Sequence, residues 1–155
     1  KESAELATIT DLLRNDLSKV ARNVEVIEFK HIDRIVTNRK TLLQQSALIE
    51  GKIQAEYFQK PGDIFEMILP AGSISGAPKE KTLEIIKRTE NHSRGFYTGV
   101  FGYADGKKLE SGVMIRYIEK RNNKKYYKSG GGITFMSDPE KEYNALMDKI
   151  YVPIY

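Results

Sequence analysis

The sequence contains no cysteine, which excludes disulfide bonds and thiolate metal sites and is compatible with a reducing compartment. It has no apolar run of the roughly 18 residues that a membrane-spanning helix needs, so no membrane partner is expected. The two histidines, His31 and His92, stand outside any metal-ligand spacing and read as structural or surface residues. No long block of one charge sign occurs: 25 Lys and Arg against 21 Asp and Glu leave a net charge of +4, distributed along the chain. So mild an excess favours small anionic ligands no less than nucleic acid. Internal repeats and low-complexity tracts are also lacking. What remains is ordinary globular material, 155 residues of which 40% are hydrophobic and 30% charged, enough for one core of moderate size. A single domain is the simplest expectation.

Leu6, Ile9, Leu13, Leu17 and Val20 recur at three- and four-residue spacing, which predicts an amphipathic helix from Ser3 to about Lys19 that ends near Asn23. Val24 to Phe29 alternates apolar with charged residues, and Ile35 to Ile53 continues to a turn at Gly51; both read as strands. Pro61 to Leu69 reads as a short helix and Pro78 opens another, followed by a polar break from Glu90 to Gly95. Strands are expected at Phe96 to Tyr103, Leu109 to Glu119 and Lys125 to Lys128, with turns at Ala104-Asp105-Gly106 and Arg121-Asn122-Asn123. A last helix starts around Asp138-Pro139-Glu140. The expected fold class is α+β, with mixed β-sheet layers flanked by helices.

The stretch from Gly72 to Lys79, Gly-Ser-Ile-Ser-Gly-Ala-Pro-Lys, joins a glycine-rich turn to a helix start. Pro78 suits the first helical position, and Lys79 falls in the first turn. Free amides, the positive end of the helix dipole and that lysine would together attract a carboxylate or phosphate. The alternative is a plain strand-turn-helix connection. A Walker A loop is excluded, because Gly-Lys-Ser/Thr does not follow the glycines.

Glu5 in the first helix, and Glu140 and Glu142 in the last, are carboxylates that could converge on Mg²⁺, a cation that prefers oxygen ligands. Their commonplace alternative is to complement helix dipoles. Gly130 to Gly132 lets backbone amides approach a ligand, or simply makes a tight connection. Arg116 follows the apolar run Val113, Met114 and Ile115; it reads as a carboxylate fork or as a strand arginine that is solvated or paired internally. Tyr97 and Tyr103 read as sheet packing, with hydroxyls able to reach a polar partner. The basic Lys120 to Lys128 stretch imitates a nucleic-acid face but reads as a solvated hairpin, so no nucleic-acid partner is expected.

Taken in order, these pieces resemble the chorismate-utilising enzymes: Lys1 to Glu5, Asp11 to Leu17, Pro70 to Lys79, Gly95 to Gly99, Gly102-Tyr103, Ile115-Arg116, Ser129 to Ile133 and Ser137 to Tyr143. Within the family the chain is most similar to the para-aminobenzoate branch, aminodeoxychorismate synthase component I; anthranilate synthase component I shares most of the motifs, and Ser73 leans toward the former. The resemblance implies a chorismate-binding fold of the anthranilate synthase component I type and a magnesium-dependent, cytoplasmic enzyme of folate biosynthesis. It would turn chorismate and ammonia into 4-amino-4-deoxychorismate, the ammonia coming from a glutamine amidotransferase subunit. Anthranilate and isochorismate synthesis are the alternatives. Glu5 matches a metal-ligand glutamate, with Glu142 at the other end of the chain. Tyr97, Arg116, Gly130, Gly131 and Gly132 match positions lining the chorismate pocket, and Ser73, Ser75, Gly76 and Lys79 match the loop and helix start beside it.

Departures from the family pattern accompany the match. Ala145 stands where a second glutamate normally follows the one matched by Glu142, Gln44 replaces a frequent histidine, and Ala47 a nearby serine. Family members are at least twice as long, and the motif whose lysine attacks C2 of the ring would precede Lys1. The chain is therefore expected to be the C-terminal part of a larger enzyme, with exposed strand edges prone to self-association and no complete reaction of its own. Ala145 also admits a reading of another class, a non-catalytic remnant that binds a small carboxylate or a partner subunit.

Overall fold

A computed structural model describes residues 2–37 and 41–151, with only the backbone described at residue 2. The chain divides into two compact units, Lys1–His92 and Ser93–Tyr155.

In the first unit, the apolar stripe of the N-terminal segment forms α1 (Glu2–Ser18), which ends in a turn where the Lys19 and Val20 amides donate to the Asp16 and Leu17 carbonyls at 3.2 and 3.1 Å. Directly after it comes β1 (Ala21–Val36), antiparallel to β2 (Thr41–Ile53), in a register running from Ala21 opposite Ile53 to Val36 opposite Thr41. The strand expected to stop at Phe29 thus runs on to Val36. Register shifts between Arg22 and Glu25, Val26 and Glu28, and Phe29 and His31 explain the difference, because each bulge breaks the strict alternation by which a strand is read. Of the expected strand Ile35 to Ile53, residues 38–40 lie outside the described residues. Gly51 is not a turn but a strand position; a Cβ there would stand 3.0 Å from Val24 Cγ2 and 3.1 Å from Ala21 Cβ, so a larger residue would press on these side chains.

Val20, at 0% exposure, and Ala21 are the buried apolar residues at the α1–β1 junction. By contrast Val26, Ile27, Phe29, Ile32, Leu43 and Leu48 are exposed along the ribbon. A two-stranded ribbon is marginally stable by itself, and these side chains form the kind of apolar surface that other chain normally covers.

Three helices follow: α2 (Pro61–Ile68), α3 (Gly72–Ser75) and α4 (Lys79–Thr89). Pro78, expected as the first helical residue, is instead the N-cap, with extended backbone, and its carbonyl accepts from both the amide and the hydroxyl of Thr82 at 3.0 Å.

The second unit holds β3 (Val100–Ala104), β4 (Leu109–Val113), β5 (Tyr117–Arg121), β6 (Lys124–Lys128) and α5 (Pro139–Asp148). β3 pairs with β4 and β5 with β6, both antiparallel. The mixed sheet layers expected from sequence are therefore corrected to three antiparallel ribbons among the described residues. Asp105 caps the β3–β4 turn by accepting the Lys107 and Lys108 amides at 2.8 Å, and these bonds hold its carboxyl below the ordinary value. Asn122 and Asn123 both take the left-handed backbone, at φ 50° and 58°, which a tight two-residue hairpin turn requires. Asp138 caps α5 by accepting the Lys141 amide at 3.0 Å.

Candidate functional site

Lys79, expected to meet an external anion, donates instead to both carboxylate oxygens of Asp16, at 2.8 and 2.9 Å, and to the Ile68 carbonyl at 3.3 Å. The Gly72 amide donates to Asp16 Oδ2 at 3.2 Å and Lys19 Nζ to Oδ1 at 2.9 Å. The anion drawn to this glycine turn is thus one of the chain's own carboxylates, lying 63 residues from Lys79 in sequence. The Asp16 side chain is only 7% exposed. Burial pushes its carboxyl up; hydrogen bonds from Lys79 and Lys19, together with their charges, outweigh that, and it sits below its ordinary value of 3.8. Ser75 is fully buried and donates to the Ala71 carbonyl at 3.2 Å, so its hydroxyl turns into the fold. Ser73 is exposed on α3, and Gly76 ends that helix at φ 70°. Asp16 carried a signal in sequence: it falls three residues after Leu13 and four before Val20, and a charge on an apolar stripe implies a buried partner.

In the second unit the structure brings together residues that sequence reading singled out separately. Tyr97 belongs to a turn at residues 95–98 rather than to a strand, and its hydroxyl occupies the place that a Cβ on Gly130 would take. Any side chain at 130 would have to displace the Tyr97 hydroxyl. Arg116, expected within a strand, forms the bend between β4 and β5 in the left-handed region, at φ 53°. The residue is half-buried, and its guanidinium meets no hydrogen-bond or ion-pair partner among the described residues. Because Tyr117 pairs with Lys128 at the open end of the β5–β6 ribbon, Arg116 and Ser129 are the next residues on either side, and Gly130 follows. Lys128 is held to Glu119 at 3.2 Å. Gly130, Gly131 and Gly132 form an exposed connection between β6 and the last helix.

The hydroxyls of Tyr117 and Ser129, which sequence reading passed over, are closed off from solvent without a hydrogen-bond partner among the described residues. Left so, a polar group costs about 1–3 kcal/mol. Thr98 was also missed: a β-branched residue at φ 66°, a conformation that no propensity announces.

Glu5 lies on α1 in the first unit and Glu142 on α5 in the second. Both are half-buried, and Glu142 accepts the Ser137 hydroxyl at 2.8 Å, as an oriented carboxylate ligand would. No group of three or more His, Cys, Asp or Glu side chains suited to a metal occurs among the described residues, and Ala145 on α5 offers no donor. Each carboxylate, taken singly, offers the oxygen donors that a hard cation prefers. A surface cavity of about 650 Å³ lies at the base of the β1–β2 ribbon, lined by Arg22, Asn23 and Lys52 to Glu56, and none of the expected site residues lines it. No described helix is long and apolar enough to cross a membrane.

Arg116, without a partner among the described residues, the Gly130 to Gly132 loop and the Tyr97 hydroxyl all belong to the second unit of this α+β chain. The chain belongs to the chorismate binding enzyme family, which matches residues 1–154. An uncharacterized PabA-like protein of Haemophilus influenzae is 51% identical over 154 residues, covering 99% of this chain and 47% of that protein. Aminodeoxychorismate synthase component 1 of Bacillus subtilis is 34% identical over 160 residues, covering 97% of this chain and 32% of its own length. Anthranilate synthase component 1 of Acetivibrio thermocellus is 37% identical over 158 residues, covering 96% of this chain and 30% of its own. The chain spans about half the length, or less, of these curated relatives.

Proposed function

We propose that this chain supplies the chorismate-contacting part of an enzyme that joins chorismate and ammonia into 4-amino-4-deoxychorismate. The observation that carries the reading is Arg116: a half-buried residue in a left-handed bend, without a partner among the described residues, next in chain to the end of the β5–β6 ribbon from which Gly130 leads off toward the Tyr97 hydroxyl. An arginine in this setting forks onto a carboxylate, two N–H groups donating to its two oxygens. The amides of Gly130 to Gly132 can approach that ligand without an intervening side chain, and the Tyr97 hydroxyl limits how far it moves. Together they would orient the ring so that the C4 hydroxyl leaves as water while a new C–N bond forms from ammonia. That ammonia would come from a glutamine amidotransferase partner; kinship with proteins named PabA-like supports this reading.

Glu5 and Glu142 are each a candidate oxygen ligand for Mg²⁺, an ion that when bound would stabilise the negative charge of the substrate carboxylate and of the leaving oxygen. With Ala145 offering no donor, water would fill the vacant position and the affinity for the ion would fall. Anthranilate formation is the second reading, favoured by relatives of that name at similar identity. A non-catalytic, carboxylate-binding role is a third, favoured by Ala145.

Calorimetric titration of the chain with chorismate, with and without Mg²⁺ and with Glu5→Gln as control, tests the proposal. Binding that strengthens with Mg²⁺ in the wild type but not in the variant is expected. Equal heats with and without the ion would remove Glu5 from the site.

A further inference from the structure

We infer that Arg94 and Thr98 are positioning residues that hold Tyr97 and Arg116 in their ligand-binding arrangement. The inference rests on the reading that Tyr97 and Arg116 meet the ligand, and it adds two side chains that touch no ligand themselves.

Thr98 is the starting observation. Its backbone is left-handed, at φ 66°, and a β-branched side chain makes that conformation costly. Such strain persists only where neighbouring bonds hold it, and here they are identifiable. The Arg94 guanidinium donates from Nη1 to Thr98 Oγ1 at 3.2 Å, and that hydroxyl donates to the Tyr97 carbonyl at 2.6 Å. Arg94 also lies over the Tyr97 ring, 5.8 Å from its centroid. One side chain therefore fixes both the backbone beyond Tyr97 and the ring that carries the hydroxyl toward Gly130.

The same turn reaches the other half of the site. The Thr98 amide donates to the Met114 carbonyl at 2.9 Å, and the Met114 amide donates to the Gly99 carbonyl at 2.8 Å. Met114 lies two residues before Arg116, which is itself left-handed. A relaxed, extended Thr98 would turn its amide away from Met114, and the chain leading into the Arg116 bend would lose its anchor. Two non-glycine residues with positive φ, Thr98 and Arg116, are thus linked through Met114 and form a pre-organised mount in which bonds from Arg94 offset the strain at Thr98.

The test is chorismate titration, paired with thermal melting, of the 155-residue chain as wild type, Arg94→Ala, Thr98→Gly and Arg116→Ala. Thr98→Gly removes the strain and the hydroxyl together, so its melting temperature should hold or rise while chorismate binding weakens about tenfold; a purely structural role would not separate the two readouts. Arg94→Ala should weaken binding by a similar factor, on the order of one hydrogen bond to a charged group, and Arg94→Lys should recover part of it. If Thr98→Gly and Arg94→Ala bind as tightly as wild type while Arg116→Ala does not, the inference is overturned and the chorismate reading stands. A wild-type chain that binds no chorismate, or an Arg116→Ala chain that binds it unchanged, overturns the reading itself. Should Arg94→Ala fail to fold, Thr98→Gly decides alone.

Discussion

Replacing Asp16 by alanine removes a carboxylate that ties α1 to both ends of the Gly72–Lys79 segment. The bond between Lys79 and a buried carboxylate contributes about 1.5–3 kcal/mol, and stranding the buried Gly72 amide costs roughly 1–2 kcal/mol more. Lys19, 38% exposed and three residues from Asp16 in sequence, adds no more than a few tenths. A loss of about 3–4 kcal/mol results, in line with breaking a buried ion pair by removing one partner. For a cooperative unit of roughly 100 residues, that lowers the melting temperature by well over 10 °C. Chemical denaturation of Asp16→Ala, Lys79→Ala and the double variant isolates the pair, and a coupling of about 2 kcal/mol is expected. Asp16→Asn, which keeps an acceptor for Gly72, should lose about half as much as Asp16→Ala. The acid limb carries a second signature. Because the folded-state carboxyl lies below 3.8, its stabilisation is complete above that pH and is lost as pH falls through the still lower folded value. Wild type should therefore lose stability below about pH 4 more steeply than Asp16→Ala. A coupling under about 0.5 kcal/mol, or identical acid limbs, would refute this reasoning.

Ser129→Ala and Tyr117→Phe each delete an enclosed hydroxyl without a described partner, so melting temperatures should be unchanged or raised by a few degrees; a fall of more than about 1 kcal/mol would mean that the hydroxyl is satisfied after all. Gly130→Ala puts a methyl where the Tyr97 hydroxyl lies, which should displace the ring and weaken chorismate binding at least tenfold, with Tyr97→Phe in the same background restoring part of the loss. The exposed β1–β2 ribbon should drive self-association, visible as concentration-dependent sedimentation and reduced by Phe29→Asp with Ile32→Lys; a concentration-independent monomer in the wild type would remove the ribbon as the cause.

Helices were legible where apolar spacing and caps agreed: the stripe from Leu6 to Val20 gives α1, and Asp138-Pro139 gives the start of α5. Both hairpin turns of the second unit were legible because Asp105-Gly106 and Asn122-Asn123 carry turn chemistry in their own side chains. The long ribbon was not, because its bulges interrupt the period by which strands are recognised, and Gly51 mimics a turn while serving a close contact. Arg116, Gly130 and Tyr97 could be named from sequence, but the bend at Arg116 and the turn that brings the Tyr97 hydroxyl to Gly130 could not, because strand propensity pointed the other way. Lys79 was read from sequence as part of a site for an external anion; that it meets Asp16 instead is a tertiary fact, set by a carboxylate arriving from another helix.

Chorismate titration of the wild-type chain against Arg116→Ala, in saturating Mg²⁺, bears most directly on the central claim that the bend between β4 and β5 receives the ligand's carboxylate. Saturable binding in the wild type and a loss of at least a hundredfold in the variant, as for a fork onto a carboxylate left unpaired, is the expected result. Equal affinity in the two chains would contradict it and move the carboxylate site away from Arg116.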